Sequence, residues 1–187
     1  VFRLLPETPR DLDEVEALLD LAFAPGRTAL SSYRLREGVA PVAALCRVAR
    51  DEYDALAGCI RFWPALIGTE GRPTLLLGPV AVHPTRQGEG LGALLIVDAL
   101  ERAAGLGWER CVLVGDEPYY RRFGFTREAA RDIVFPPPTN PARVLARALA
   151  PGALDGVAGE VRRAGAPAKG PDADTGPDPG PCPDPVA

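Results

Sequence analysis

Leu75-Leu76-Leu77-Gly78-Pro79-Val80-Ala81-Val82-His83-Pro84-Thr85-Arg86-Gln87-Gly88-Glu89-Gly90-Leu91-Gly92-Ala93-Leu94-Leu95-Ile96 decides how the rest of the chain is read. Leu75 to Leu77 and Val80 to Val82 are apolar enough for a strand covered on both faces. Gly78-Pro79 interrupts that strand. Proline has no N–H to give to a neighbouring strand, so a bulge or splay is expected there. Pro84 ends the strand, Gln87 to Gly92 form a turn, and a helix runs from Gly90 to about Ala104. Glycines leave the main-chain N–H groups open at a helix N-terminus, which suits an anion such as phosphate. The stretch predicts a phosphate-bearing ligand held by main chain beside an opened strand.

Three readings fit a strand–glycine–helix unit. Gly88-x-Gly90-x-x-Ala93 formally satisfies the dinucleotide fingerprint. That fingerprint needs a tight turn directly after the strand, whereas His83 to Gln87 intervene here. The acidic residue expected about 20 positions on is also poorly placed. The second reading is a turn that merely joins strand to helix. The third takes Gln87-x-x-Gly90-x-Gly92 as a grip for a different phosphate ligand, directly after a strand ending Val82-His83-Pro84.

A length of 187 residues suits one domain with a tail. The formal charge of −4, with no basic run, excludes a nucleic-acid-coating protein. Lys169 is the sole lysine and the arginines are scattered, so a single arginine carries little weight. Cys46, Cys59 and Cys111 sit in apolar strand-like runs and read as small buried hydrophobes. Cys182 falls in the tail. With His83 as the only histidine, no metal site can be drawn by spacing. No run approaches the length of a membrane span, and the N-terminus does not read as a signal peptide. A cytoplasmic protein is expected.

In chain order, Phe2–Leu5 is a strand, and Thr8-Pro9-Arg10-Asp11 opens a helix. Leu12, Val15, Leu18, Leu19 and Ala22 give that helix its apolar face, and Ala24-Pro25-Gly26 end it. Thr28–Arg36 is a weaker helical stretch. Val42–Ala49 and Ala57–Trp63 form a hairpin around the polar turn Arg50–Asp54, and Leu66–Gly71 connects to the strand Thr74–Val82. Arg110–Val114 is the next strand. Because a buried helix separates it from Thr74–Val82, the two strands should be parallel. Asp116 is placed to cap a short helix, Gly124 to end it, and Phe125 to begin another strand. Arg143–Ala150 and Gly156–Arg162 are further strands. From Ala164 onward the chain is Pro, Gly, Asp and Ala, the composition of a disordered tail.

Two motifs together carry a family resemblance. Gln87-x-x-Gly90-x-Gly92 resembles the acetyl-CoA motif of the GNAT superfamily of N-acetyltransferases, and Tyr119-Tyr120-Arg121-Arg122-Phe123-Gly124-Phe125 resembles the short helix those proteins place after the next strand. The chain looks like the bacterial YhbS-like branch over roughly Phe2 to Val161. The resemblance implies an α/β fold with a mixed, mostly antiparallel sheet, splayed at two central parallel strands, with helices on both faces. It divides the chain into an acetyltransferase domain, residues 1–163, and a tail, residues 164–187. It implies that Val80, Ala81 and Val82 contact pantetheine through main chain. Gln87, Gly88, Glu89, Gly90, Leu91 and Gly92 would hold the pyrophosphate, although Glu89 brings a negative charge where relatives commonly carry a basic residue. Tyr120 is the implied catalytic residue, an acid for the departing thiolate.

The implied reaction moves acetyl from acetyl-CoA to a primary amine by direct attack in a ternary complex, with no metal. A monomer or homodimer is expected. The alternative is a non-catalytic acyl-CoA-binding module of the same fold. The general base stays open between His83, which falls at the pyrophosphate end of its strand, and Asp116 acting through water. Phe62 and Trp63 are either acceptor-pocket walls or core. The acceptor amine is not readable from sequence.

Overall fold

The computed structural model describes residues 1–23 and 27–165. The tail predicted from residue 164, with Cys182, lies almost wholly outside the described residues, as do Ala24, Pro25 and Gly26. In chain order the elements are β1 (Arg3–Pro6), α1 (Leu12–Ala22), α2 (Ser31–Arg34), β2 (Arg47–Arg50), β3 (Leu56–Ile67), β4 (Arg72–Val82), α3 (Leu91–Gly105), β5 (Arg110–Val114), α4 (Glu117–Tyr120), β6 (Ile133–Val134), β7 (Val144–Ala148) and β8 (Gly159–Arg163).

One mixed sheet runs β1-β2-β3-β4-β5-β7, and β8 joins the far end of β3. β4 and β5 are parallel, as the intervening helix requires, and the other pairs along that path are antiparallel. β6 adds a short parallel pair to β8.

Alternation along the strands sorts the core into layers. Val48, Cys59 and Ala81 point to one face and meet Val15, Leu18 and Leu19 of α1. Their neighbours Ala49 and Ile60 point to the other face and meet Leu91, Leu95, Ile96 and Ala99 of α3. α3 lies so close to β3 that a Cβ on Gly58 would stand 3.1 Å from the Leu95 side chain and 3.2 Å from that of Leu91. On the outer face of α3, Asp98 pairs with Arg102 one turn on, at 3.0 Å, and also receives the buried Arg47 of β2 at 3.1 Å. At the start of α1 the Thr8 main chain and hydroxyl both donate to Asp11, at 2.8 and 2.7 Å.

Several elements differ from the sequence reading. Residues 66 and 67 extend β3, and the connection shrinks to a tight turn with Gly68 and Gly71 at φ 70° and 65°. Val42–Ala49 is strand only from Arg47, because Ala43–Leu45 turn as a 3-10 segment that buries Leu45. Thr28–Arg36 breaks into a 3-10 turn at Arg27–Ala29 and the single turn α2. Phe125 begins no strand. It is fully buried as a core plug, and only the next residue, Thr126, makes one bridge, to Ala146. The Thr126 hydroxyl accepts the Ala129 N–H at 3.1 Å and turns the chain away.

Among the described residues no helix is long and apolar enough to cross a membrane, and no cluster of His, Cys, Asp and Glu suits a metal ion. Cys46, Cys59 and Cys111 are buried free thiols.

Candidate active site

β4 is zipped at one end and open at the other. Leu75 and Leu76 pair with Cys111 and Val112 of β5, and the ladder stops there. Arg61 of β3 faces two residues of β4, Gly78 and Pro79, so the strand bulges where the proline was expected to break it. Beyond the bulge Val80, Ala81 and Val82 remain paired with β3 alone. Their β5-facing main-chain groups lie on an unpaired edge. β5 meanwhile continues its ladder with β7. A V-shaped slot opens between β4 and β5.

At the wide end of the slot the chain forms a cradle. Pro84–Arg86 make a 3-10 turn, capped by His83, whose Nδ1 lies 2.8 Å from the Thr85 hydroxyl. Gly88 and Gly90 take left-handed conformations, φ 85° and 78°, and nothing lies within 4 Å of where their Cβ atoms would stand. The first helical bond of α3 runs from the Leu94 N–H to the Gly90 carbonyl. The N–H groups of the preceding turn therefore have no intrahelical acceptor. A cavity of about 480 Å3 covers this turn, lined by Val82, Arg86, Gln87, Gly88, Gly90, Leu91 and Gly92 together with Tyr119 and Arg122.

Glu89 is not among the lining residues. Its carboxylate lies 3.9 Å from Arg86, which pairs more closely with Asp51 at 2.6 Å. The negative charge is exposed and lies beside Arg86, a cation of the cradle lining. Ala81 likewise faces the α1 side, so that any part it plays in the slot is through main chain.

A second cavity, about 320 Å3, occupies the closed end of the slot and reaches under α2. Leu76 to Val80 of β4, Val114 to Asp116, Tyr119 and Tyr120 line it from below, and Tyr33, Arg36 and Arg143 from the sides. α4 brings its tyrosines here because Gly115 leaves room: a Cβ at that position would collide with the Tyr120 ring. The two tyrosine rings meet edge-on with centroids 5.0 Å apart. Burial pushes the Tyr120 phenol up to about 12; Tyr119 and Asp116 add to the rise and Arg143 opposes it. The hydroxyl therefore keeps its proton at neutral pH.

Both tyrosines line the cavity. Tyr119 spans the seam between the two cavities, its hydroxyl 3.0 Å from where a Cβ on Gly92 would stand. The Asp116 side chain does not cap α4. It pairs with Arg143 at 3.2 Å on the cavity wall. His83 lines neither cavity, and neither do Phe62 and Trp63: Phe62 is fully buried core.

Sequence reasoning passed over three cations. Arg122 lies over the Tyr119 ring at 4.0 Å in the cradle, and Arg36 and Arg143 stand at the closed end. Only the aromatic neighbours of Arg122 offered a signal, and the scattered arginines of this composition hid the other two.

A slot between splayed parallel strands, with a glycine cradle at one end, is the site plan of the GNAT acetyltransferases, and the chain belongs to that family. Residues 43–127 match the acetyltransferase (GNAT) domain. The chain is similar to the uncharacterized N-acetyltransferase YhbS of Escherichia coli strain K12, 30% identical over 155 residues that cover 83% of this chain and 92% of the relative. Among solved structures it resembles YhbS from Escherichia coli in complex with CoA, with TM-score 0.73, 29% identity and coverage of 87% of this chain and 88% of that one. It also resembles a GNAT acetyltransferase from Brucella melitensis in complex with acetyl-CoA, with TM-score 0.65, 32% identity and coverage of 87% and 95%.

Proposed function

We propose that the protein is an acetyl-CoA-dependent N-acetyltransferase acting on a primary amine by direct attack in a ternary complex. One observation carries the reading: the V between β4 and β5 has a main-chain anion cradle at one end and a protonated, half-buried Tyr120 lining a cavity at the other. The complexes of the two relatives with CoA and acetyl-CoA support it.

The residues present fit acetyl-CoA. Gln87 to Gly92 offer N–H groups and open space for the pyrophosphate, and Arg122 stands ready as a cation. The unpaired edge at Val80, Ala81 and Val82 takes the pantetheine amides as an added strand would be taken. One N–H of that edge serves the developing oxyanion, an effect worth several kcal/mol elsewhere, about 3. Acetyl-CoA supplies the activated acyl group. Tyr120 donates its proton or a hydrogen bond to the departing sulfur. Asp116, the carboxylate on the cavity wall, accepts the amine proton through water.

The test is thiol release from acetyl-CoA across an amine library, with product masses. Acetylated amine appearing in step with free thiol supports the reading. CoA binding without release across the library defines a non-catalytic acyl-CoA-binding module instead.

A further inference from the structure

Arg36 is the one guanidinium in the closed cavity that the described residues leave without a counter-charge. It is 91% buried by its exposure of 9%, and its Nε and Nη1 lack hydrogen-bond partners. It is held by faces and by no acid: the Tyr33 ring at 4.4 Å and the Trp63 ring at 5.8 Å. Its Nη2 comes up to the β4 bulge, 3.5 Å from where a Cβ on Gly78 would stand. Gly78, Tyr33 and Arg36 all line the same cavity.

The neighbouring cations are treated differently. Arg61 is bound by Glu7 at 2.9 Å and Glu16 at 2.7 Å, and Arg27 by Glu16 at 2.7 Å and Asp20 at 2.9 Å. Those acids are committed, and the two arginines themselves repel Arg36. Burial and that repulsion pull Arg36 down to about 10, against the pull of Tyr33 upward. It therefore remains a cation at neutral pH. Arg143, the other arginine on the wall, is paired with Asp116.

The Arg36 segment is pinned. The Ser31 hydroxyl lies 2.5 Å from that of Thr139, and Arg163 donates to the Glu37 carbonyl at 3.0 Å. An unpaired buried cation on a fixed element is a costly arrangement unless an anion completes it. Its charge is delocalised over three nitrogens, so an anion met at the Nη2 end offsets the charge, while Nε and Nη1 stay buried.

We propose that Arg36 is the acceptor-recognition residue of the closed cavity and that the amine acetylated there carries a carboxylate. The proposal rests on the acetyl-transfer reading for the word acceptor, but not for the anion site itself. The cavity, about 320 Å3, suits a small amino acid or a single side chain and its carboxylate. The carboxylate takes the Arg36 end, and the amine is left toward Tyr120 and Asp116.

The experiment compares matched acceptors with the intact protein and acetyl-CoA: glycine, beta-alanine and gamma-aminobutyrate against ethylamine, propylamine and butylamine, with phosphoethanolamine as a separate arm. At least one carboxylate amine should exceed its neutral partner in kcat/KM by about tenfold or more. Arg36→Gln should erase that preference while CoA still raises the melting temperature. Neutral amines acetylated as well as the acids by the unaltered protein overturn the proposal, whether or not the variant folds. Phosphoethanolamine as the preferred acceptor overturns the carboxylate assignment. If no amine of this panel is acetylated, the acetyl-transfer reading is decided by the amine library and the anion site by calorimetry on the CoA-loaded protein. Binding of gamma-aminobutyrate over butylamine then upholds the site, and equal or absent binding overturns it.

Discussion

The two cavities of the slot are built by opposite means. The cradle centres on one run, Arg86 to Ala93, whose chemistry is mostly main chain, open N–H groups and two left-handed glycines, joined by Val82, Tyr119 and Arg122. The closed cavity is assembled from side chains that arrive on separate segments, Tyr33 and Arg36 near α2, the β4 bulge, α4 and Arg143. A main-chain site tolerates change in its side chains but not in its backbone geometry. A side-chain site reverses that sensitivity. Substitutions in the two regions should therefore separate binding of CoA from handling of the acceptor.

The largest effect is expected from breaking the cradle. Gly90→Val places a β-branched residue at φ 78°, where L residues are strained by roughly 1–2 kcal/mol, and fills the open space above the turn. CoA affinity should fall by about a hundredfold or more, and the CoA-dependent rise in melting temperature should vanish while circular dichroism stays native. Retained CoA stabilisation in a folded variant would remove the pyrophosphate from this turn.

Next comes Tyr120→Phe, which leaves the cradle untouched. Turnover should drop by at least about tenfold with acetyl-CoA affinity nearly unchanged. A loss of affinity equal to the loss of rate would mean that the two cavities are one functional unit and that the contrast drawn between them is false.

The same contrast explains what was legible. The cradle and the open strand could be read because each maps a backbone requirement onto a residue type within a few positions. Gly88 and Gly90 mark positive φ, and Pro79 marks a missing donor. Arg36 could not be read. Its segment carries weak helical signals and breaks into two short turns, and its place in the cavity depends on docking against Thr139 and β4, remote in sequence. Phe125 was misread for a related reason. An aromatic after a glycine fits a strand start, but this ring fills the core where the chain turns. Glu89 looked like a flaw in the cradle until Arg86 supplied its partner.

A smaller effect tests the seam. Gly92→Ala would bring a Cβ to 3.0 Å from the Tyr119 hydroxyl, and the ring can swing aside. CoA affinity should weaken by only about two- to fivefold, while the better helix propensity of alanine helps keep the variant folded. Adding Tyr119→Phe removes the offending oxygen and should restore affinity. If the second substitution brings no recovery, Tyr119 does not bridge the two regions.

The last effect is thermodynamic and belongs to the closed cavity alone. The Tyr120 phenol is raised by burial from 10.0 to about 12. A group whose folded-state pKa lies above its unfolded value contributes stability that is fully present below the unfolded value. That contribution is lost as pH rises through the folded value. The window is therefore the interval from 10.0 to about 12. Two units correspond to at most roughly 2.7 kcal/mol, and residual solvent contact lowers that. The wild-type curve sums every ionisable group of the chain, so alone it does not isolate this one. The difference between wild type and Tyr120→Phe does, since every other titrating residue is shared. That difference in unfolding free energy should be flat to about pH 9 and then move steadily against the wild type as the unfolded chain begins to ionise at this residue. Denaturant titrations from neutral pH to about pH 11 measure it. A flat difference across that range would mean that Tyr120 ionises as freely in the folded protein as in the unfolded chain. Its hydroxyl would then stand in water, and an acid poised in a closed cavity would have to be sought elsewhere.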